Sequence, residues 1–178
     1  SVHVLEGLRV DAGYAYLNTR VKEVATATLP SDNAYVVSAP IAVGDELILS
    51  PKHKLTLTGT YTLPLDESLG RISVSATYLY SSKQLANYQS LRNPAIIAAT
   101  GGFNTSVMAP RNLLNLNLNW DNVAGGPFDL SVFATNVTNA KYYTNINGLI
   151  GLGFETATVG EPRMVGARLK FRFGGAAD

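Results

Sequence analysis

The chain has no cysteine, which removes disulfide frameworks, thiol nucleophiles and thiolate metal sites together. Charge is scarce: Asp, Glu, Lys and Arg make up 15% of the 178 residues, against roughly 25% in soluble proteins. The signs nearly cancel, 14 basic against 13 acidic, so there is no basic face for nucleic acid and no acidic tail. The two histidines, His3 and His53, lie far apart with no ligand-spaced partners; no metal site and no cofactor are expected. No run of 18 or more apolar residues occurs, which excludes a transmembrane helix but not membrane association. The opening residues, SVHVLEGLRVDAGY, lack the regions of a signal peptide and begin without Met, as in a processed chain or excised fragment. Catalytic constellations are missing too. Asp45-Glu46 and Asp66-Glu67 are adjacent pairs that would face opposite ways on a strand. The run Gly148 to Gly153 lacks the strand-then-helix setting of a phosphate loop. No catalytic residue is assigned and no enzyme is expected.

What is present is a period of two. Leu114-Asn-Leu-Asn-Leu-Asn-Trp120 puts three Leu and Trp120 on one face and three Asn on the other, the signature of a half-buried strand. Leu55, Leu57, Tyr61 and Leu63 alternate with four Thr, whose β-branching suits a pleated backbone. Four further faces read Ile72-Val74-Ala76-Tyr78-Tyr80, Leu8-Val10-Ala12-Tyr14-Tyr16, Leu130-Val132-Ala134 and Val165-Ala167-Leu169-Phe171-Phe173. On that last strand Arg168, Lys170 and Arg172 occupy the opposite face. No amphipathic helix is expected.

The connections alternate in length. Pro64–Gly70 and Asp121–Pro127 are short turns, whereas about 22–51, 82–110 and 136–162 are long. Long loops on one rim and short turns on the other is how an outer-membrane barrel is built. Aromatics agree: Tyr14, Tyr16, Tyr61, Tyr78, Tyr80, Trp120, Phe171 and Phe173 share the apolar face near strand ends, the place of membrane-interface girdles. Periodicity alone fits a soluble antiparallel sheet equally well; loop asymmetry and girdles favour the membrane. Six strands cannot close such a barrel, for which eight is the usual minimum. Either the chain is a segment of a larger barrel, the preferred reading, or two strands hide in the long loops, around Ile41–Leu49 and Gly148–Phe154.

Four elements carry a resemblance. Ser50-Pro-Lys-His-Lys-Leu-Thr-Leu57 with Tyr61 looks like the "aPrh.l.l...Y" opening of a late strand in TonB-dependent outer-membrane receptors. Phe128 to Tyr142 resembles that family's "l.l.v.NltnkkY" element, and Gly160 to Phe173 its "G.PR.yg..l.y.F" ending. Gly7 to Asn18 resembles the "Gl.l...yaYl.a" strand. In this order they cover most of the chain. The resemblance implies an all-β, antiparallel, up-and-down transmembrane barrel segment: about six strands at the C-terminal end of a 22-stranded barrel filled by an N-terminal plug. Residues 1–173 would be barrel and 174–178 a short extension, a departure, since the family usually ends at its final aromatic.

The resemblance further implies a bacterial outer-membrane receptor that takes up a scarce nutrient, a ferric siderophore above all, with energy relayed by TonB. Its partners would be outer-membrane lipid, the small-molecule ligand, and the plug and TonB through the missing N-terminal part. Within that frame Arg168, Lys170 and Arg172 are expected plug contacts, or else solvated lumen cations. Ligand contacts are expected from loops, where Tyr35, Tyr88, Arg92, Phe103, Tyr142, Tyr143, Phe154 and Arg163 are the aromatic and cationic candidates for a flat anionic chelate. Two other readings stay open. One is a small passive barrel of about eight strands. The other is a soluble β-sandwich or lectin-like module burying Leu114, Leu116 and Leu118 against a second sheet.

Overall fold

A computed structural model describes residues 2–25, 41–89, 91, 93–102, 104–149 and 152–173. All six expected strands form and lie side by side in one antiparallel sheet: β2 (Leu8–Tyr16), β3 (His53–Thr62), β4 (Arg71–Ser81), β7 (Arg111–Asp121), β8 (Phe128–Thr135) and β11 (Met164–Phe171). A seventh, short strand, β1 (Val2–Leu5), hairpins onto β2 through Glu6-Gly7. Gly7 is in the left-handed region, φ 80°, where a Cβ would lie 2.5 Å from the Thr62 carbonyl, so this turn depends on glycine. β1 and β11 are the edges and do not pair with each other. The sheet is an open barrel segment, not a small closed barrel.

Cross-strand pairing carries the period-two pattern across the whole sheet. Val10, Gly59, Ala76, Leu116, Ala134 and Val165 stand in one lateral row, and Ala12, Leu57, Tyr78 and Leu114 in another. The apolar face is therefore continuous from β2 to β11. No described residue covers it: Leu57 is 41% exposed, Leu116 39% and Leu169 67%. This overturns the sandwich reading, in which Leu116 and Leu118 would be sealed against a second sheet. So wide an apolar surface suits an apolar solvent.

The other face is mostly neutral and polar. Thr58 and Thr77 share a hydroxyl hydrogen bond at 3.1 Å, and Ser131 Oγ donates to Asn119 Oδ1 at 2.8 Å. It also holds apolar residues that the alternation did not announce. Leu79 pairs with Leu113, and Phe133 lies opposite Gly166, where a Cβ would approach the Phe133 ring to 2.5 Å. An aromatic ring here shields a glycine's bare backbone.

The short turns pack on one another. The β3–β4 turn contains a 3₁₀ turn, Glu67–Leu69, and the β7–β8 turn another, Val123–Gly125. Trp120 Nε1 donates to the Leu69 carbonyl at 2.7 Å. Asp66 caps the first turn, accepting from the Ser68 amide at 2.9 Å, and the Ser68 side chain first, then this amide, hold its carboxyl below the usual range. A lowered native pKa gives stability present above the unfolded value and lost as pH falls through the native one. Protection of the Ser68 amide from hydrogen exchange, corrected for intrinsic rates, should therefore fall on acidification below the usual carboxylate range. In Asp66→Asn it should be independent of pH there; equal pH dependence in both proteins would refute the cap.

The long connections hold structure of their own. β5 (Gln84–Leu85) pairs with β6 (Val107–Met108), and β9 (Tyr143–Leu149) with β10 (Phe154–Val159). A six-residue helix, α1 (Pro94–Ala99), was not expected; Pro94 at its first position needs no N–H partner. No strand forms over 41–49, where turns occur instead. Around Gly148–Phe154 there is strand on either side, in a hairpin wider than anticipated and outside the main sheet.

Candidate ligand mouth and lumen face

All long connections leave the same end of the sheet, and there they form one body. The Leu49 amide donates to the Leu85 carbonyl at 2.8 Å and the Ala86 amide to the Ser106 carbonyl at 2.7 Å. Asn87 Nδ2 donates to the Ile146 carbonyl at 3.1 Å, and Ser106 Oγ to Asn87 Oδ1 at 3.3 Å. Ala86, Met108 and Ile146 make a small buried apolar cluster from the second and third loops. The core of this chain thus sits in its loops, because the sheet has no second layer.

The first loop is held by Asp45, buried, whose Oδ2 accepts from the Ala42 amide at 2.7 Å. Beside it Tyr88 donates from its hydroxyl to the Glu46 carbonyl at 2.9 Å. Burial first, then the Asp45 charge, pushes the Tyr88 phenol above its ordinary pKa. Tyr88 is thus a strut between two loops. A cleft of about 350 Å³ opens next to it, walled by Glu46, Lys52, Lys83, Gln84 and Leu91, with Lys52 Nζ 2.7 Å from Glu46 Oε1. Lys83 was missed from sequence, where a lone lysine after a strand has no distinguishing pattern.

Tyr35, Arg92 and Phe103 fall outside the described residues. Tyr142 is half-buried, its ring over Gly160 and under the Arg111 guanidinium at 5.5 Å. Tyr143 and Phe154 are about half exposed and lie at opposite ends of the β9–β10 hairpin: Tyr143 pairs with Val159, Phe154 with Leu149. Six steps of about 3.4 Å put them roughly 20 Å apart. They cannot touch one small ligand together. Exposed Arg163 lies between β10 and β11, its amide donating to Asn139 Oδ1 at 3.1 Å.

At the opposite rim the polar face carries ion pairs. Arg71 lies 3.2 Å from Asp121. Lys170 lies 3.8 Å from Asp129, to which Arg172 also donates. Two of the three expected lumen cations are therefore answered by their own sheet, while Arg168, opposite Ser131, is exposed. At mid-height the polar face of β3, β4 and β7, from Thr56 to Thr60, Ser73 to Thr77 and Asn115 to Asn119, is uncharged, while on β2 Arg9 and Asp11, beside Thr60 and Thr58, pair with each other at 2.8 Å.

The aromatics fall into two tiers on the apolar face. Tyr14, Tyr16, Tyr78 and Tyr80 lie toward the long loops. Tyr61, Trp120 and Phe171 lie toward the short turns with Phe173 just beyond, and the Phe171 ring is tilted against Phe128 at 4.7 Å and edge-on to Phe173 at 4.4 Å. From His53, beside Tyr16, to Tyr61 is eight residues, about 27 Å of strand. At a tilt of about 40° that is about 21 Å of height, near the ~25 Å apolar band of an outer-membrane barrel.

No family model matches the sequence, and no curated protein matches it. Solved structures do. The siderophore receptor PiuA from Acinetobacter baumannii superposes with a TM-score of 0.61 at 19% identity, over 93% of this chain and 19% of that one. The ferric-catecholate import receptor Fiu from E. coli gives 0.58 at 18% identity, over 93% and 18%. The ferric yersiniabactin uptake receptor FyuA from Yersinia pestis gives 0.57 at 15%, over 74% and 18%. The chain has the fold of a TonB-dependent receptor barrel segment. It spans under a fifth of the length of these structures.

Within the TonB-dependent receptor fold, the signature elements have physical tasks. Pro51 is buried where the first loop enters β3, and Lys52 ties back to Glu46. Asn136 ends β8 in the left-handed region, φ 46°, and is buried. Its Nδ2 donates to the Ala140 and Glu161 carbonyls at 3.0 and 2.9 Å, its Oδ1 accepts from the Ala140 amide at 2.9 Å, and its own amide donates to Asn115 Oδ1 at 2.9 Å. The Asn-x-x-Asn and Glu-Pro-Arg stretches are thus two halves of one clip at the top of β8 and β11.

Proposed function

We propose that this chain is the C-terminal barrel segment of a bacterial outer-membrane receptor that imports a ferric siderophore with energy relayed by TonB. The observation that carries the reading is a single sheet with one continuous uncovered apolar face and all its long loops on one rim, superposing on siderophore receptors. The apolar face meets outer-membrane lipid, the neutral polar face meets the plug, and the loop body forms part of the ligand mouth. Arg163, between β10 and β11, and Tyr143, at the start of β9, are the cation and the ring proposed for a flat anionic chelate. At the lower rim the exposed Arg168 is the first cation available to an acidic group of the plug, ahead of Lys170 and Arg172.

The test is uptake of iron-55 chelated by catecholate or hydroxamate siderophores, in cells whose only such receptor is the full-length protein carrying this segment. Uptake of at least one chelate is expected, abolished without TonB. Tyr143→Ala combined with Arg163→Ala should weaken chelate binding about tenfold, the scale of 1.4 kcal/mol, while Phe154→Ala at the hairpin tip leaves it within about twofold. Passive, TonB-independent permeation would refute the reading.

A further inference from the structure

Among the described side chains of the upper apolar face, His53 is the one imidazole. It pairs laterally with Tyr16 and sits half-buried among aromatic neighbours: the Tyr16 ring centroid is 5.3 Å away and the Tyr14 ring 6.1 Å. Its backbone is clamped on the far side, the His53 amide donating to Ser82 Oγ at 3.1 Å and the Ser82 amide to the His53 carbonyl at 2.9 Å. The backbone that carries the ring is therefore held on both its polar groups. Nδ1 lies 2.7 Å from the Tyr14 hydroxyl. Of the two groups a phenol is the better donor and a neutral imidazole nitrogen the better acceptor, so Tyr14 donates to Nδ1 and the ring proton resides on Nε2. Among the described residues Nε2 has no protein partner.

We infer that His53 Nε2–H is a lipid-headgroup anchor that donates a hydrogen bond to the phosphate of an outer-leaflet lipid. This rests on the outer-membrane reading proposed above, which makes the long-loop rim the outer leaflet side. The site continues the lipid-facing surface, and at its height the acceptors are phosphate and ester oxygens. Two nearby cations do not contribute. Lys52 is engaged by Glu46, and Lys54, paired with Ala15 and Ser81, belongs to the opposite face. The selectivity of the site therefore comes from one oriented donor between two rings, with no local excess of positive charge.

The experiment uses the full-length protein reconstituted in dioleoylphosphatidylcholine vesicles doped with dioleoyl phosphatidic acid or with dioleoylglycerol. Insertion is scored by protease protection and retained lipid by native mass spectrometry. His53→Phe keeps an interfacial ring but removes the donor. It should lower phosphatidic acid retention about fivefold, the scale of one net hydrogen bond, and leave dioleoylglycerol unchanged. Tyr14→Phe, which frees Nδ1 and unfixes the tautomer, should lower it by a smaller factor. Unchanged phosphatidic acid retention in an inserted His53→Phe protein overturns the inference. So does equal loss of dioleoylglycerol, which would assign the effect to ring packing or ester contact, or displacement by millimolar inorganic phosphate, which would make this a soluble-anion site. Failure of the wild type to insert overturns the membrane reading and the inference with it, and is told apart by the protease assay.

Discussion

Leu57→Arg is expected to destabilise the folded protein in a bilayer by about 2–4 kcal/mol, the cost of a cation at the midplane of a barrel's lipid face. Its neighbour Thr56→Arg should stay within about 0.5 kcal/mol. The two positions are adjacent in β3 but point to opposite faces. Leu57 stands in line with Ala12 and Tyr78 on the apolar side, and Thr56 with Gly13 and Leu79 on the polar side. Leu57 is already 41% exposed, so in water its replacement by arginine would be nearly neutral. A large loss therefore reports an apolar solvent and not a packed core. Urea titration of the protein in vesicles measures both variants, and similar costs for the two would refute the assignment of faces.

Asn136→Ala is expected to cost about 3 kcal/mol. The substitution leaves the Ala140 amide and the carbonyls of Ala140 and Glu161 without the partners they have now, and a buried polar group left unpaired costs about 1–3 kcal/mol. It also puts a Cβ-bearing residue without a helpful side chain at φ 46°, worth roughly 1 kcal/mol more. Asn136→Gly should recover only that last part. Asn136→Asp should fare no better than alanine, because it sets a carboxylate against two carbonyl oxygens that need a donor. The denaturation midpoint of each variant, with the rate of proteolysis in the 136–163 loop, checks the order. An Asn136→Asp protein as stable as wild type would show that the clip does not form as described.

These two residues also divide what was readable in advance from what was not. Leu57 was placed by periodicity, since side-chain direction in a strand is set residue by residue and a one-place slip would reverse every face. The same local rule placed all six long strands and the aromatics on their shared face, while turn-forming Pro, Gly, Asp and Asn marked the two short turns. β1 escaped it because four residues are too few to establish a period, and its pairing depends on the Glu6-Gly7 turn. The polar character of Tyr143-Thr-Asn-Ile-Asn-Gly-Leu149 hid β9, whose strand conformation comes from pairing with β10. Leu79, Leu113 and Phe133 broke the simple alternation on the polar face for reasons that lie on neighbouring strands, most clearly the bare backbone of Gly166.

The sequence by itself determined the strand order, the two faces and the loop asymmetry, because each follows from chain direction, a period of two and connection length. Tertiary structure decided what the loop residues do. Tyr88 became a strut on Glu46, Tyr142 a lid on Gly160, Tyr143 and Phe154 opposite ends of a hairpin, and His53 a ring oriented by Tyr14. Most of these contacts join residues 18 to 42 positions apart in the chain, and Tyr143 and Phe154 were separated by a hairpin the sequence did not reveal. Their identity is set by how the loops fold over one another and by the satisfaction of buried polar groups, and neither is written in the local pattern of the chain.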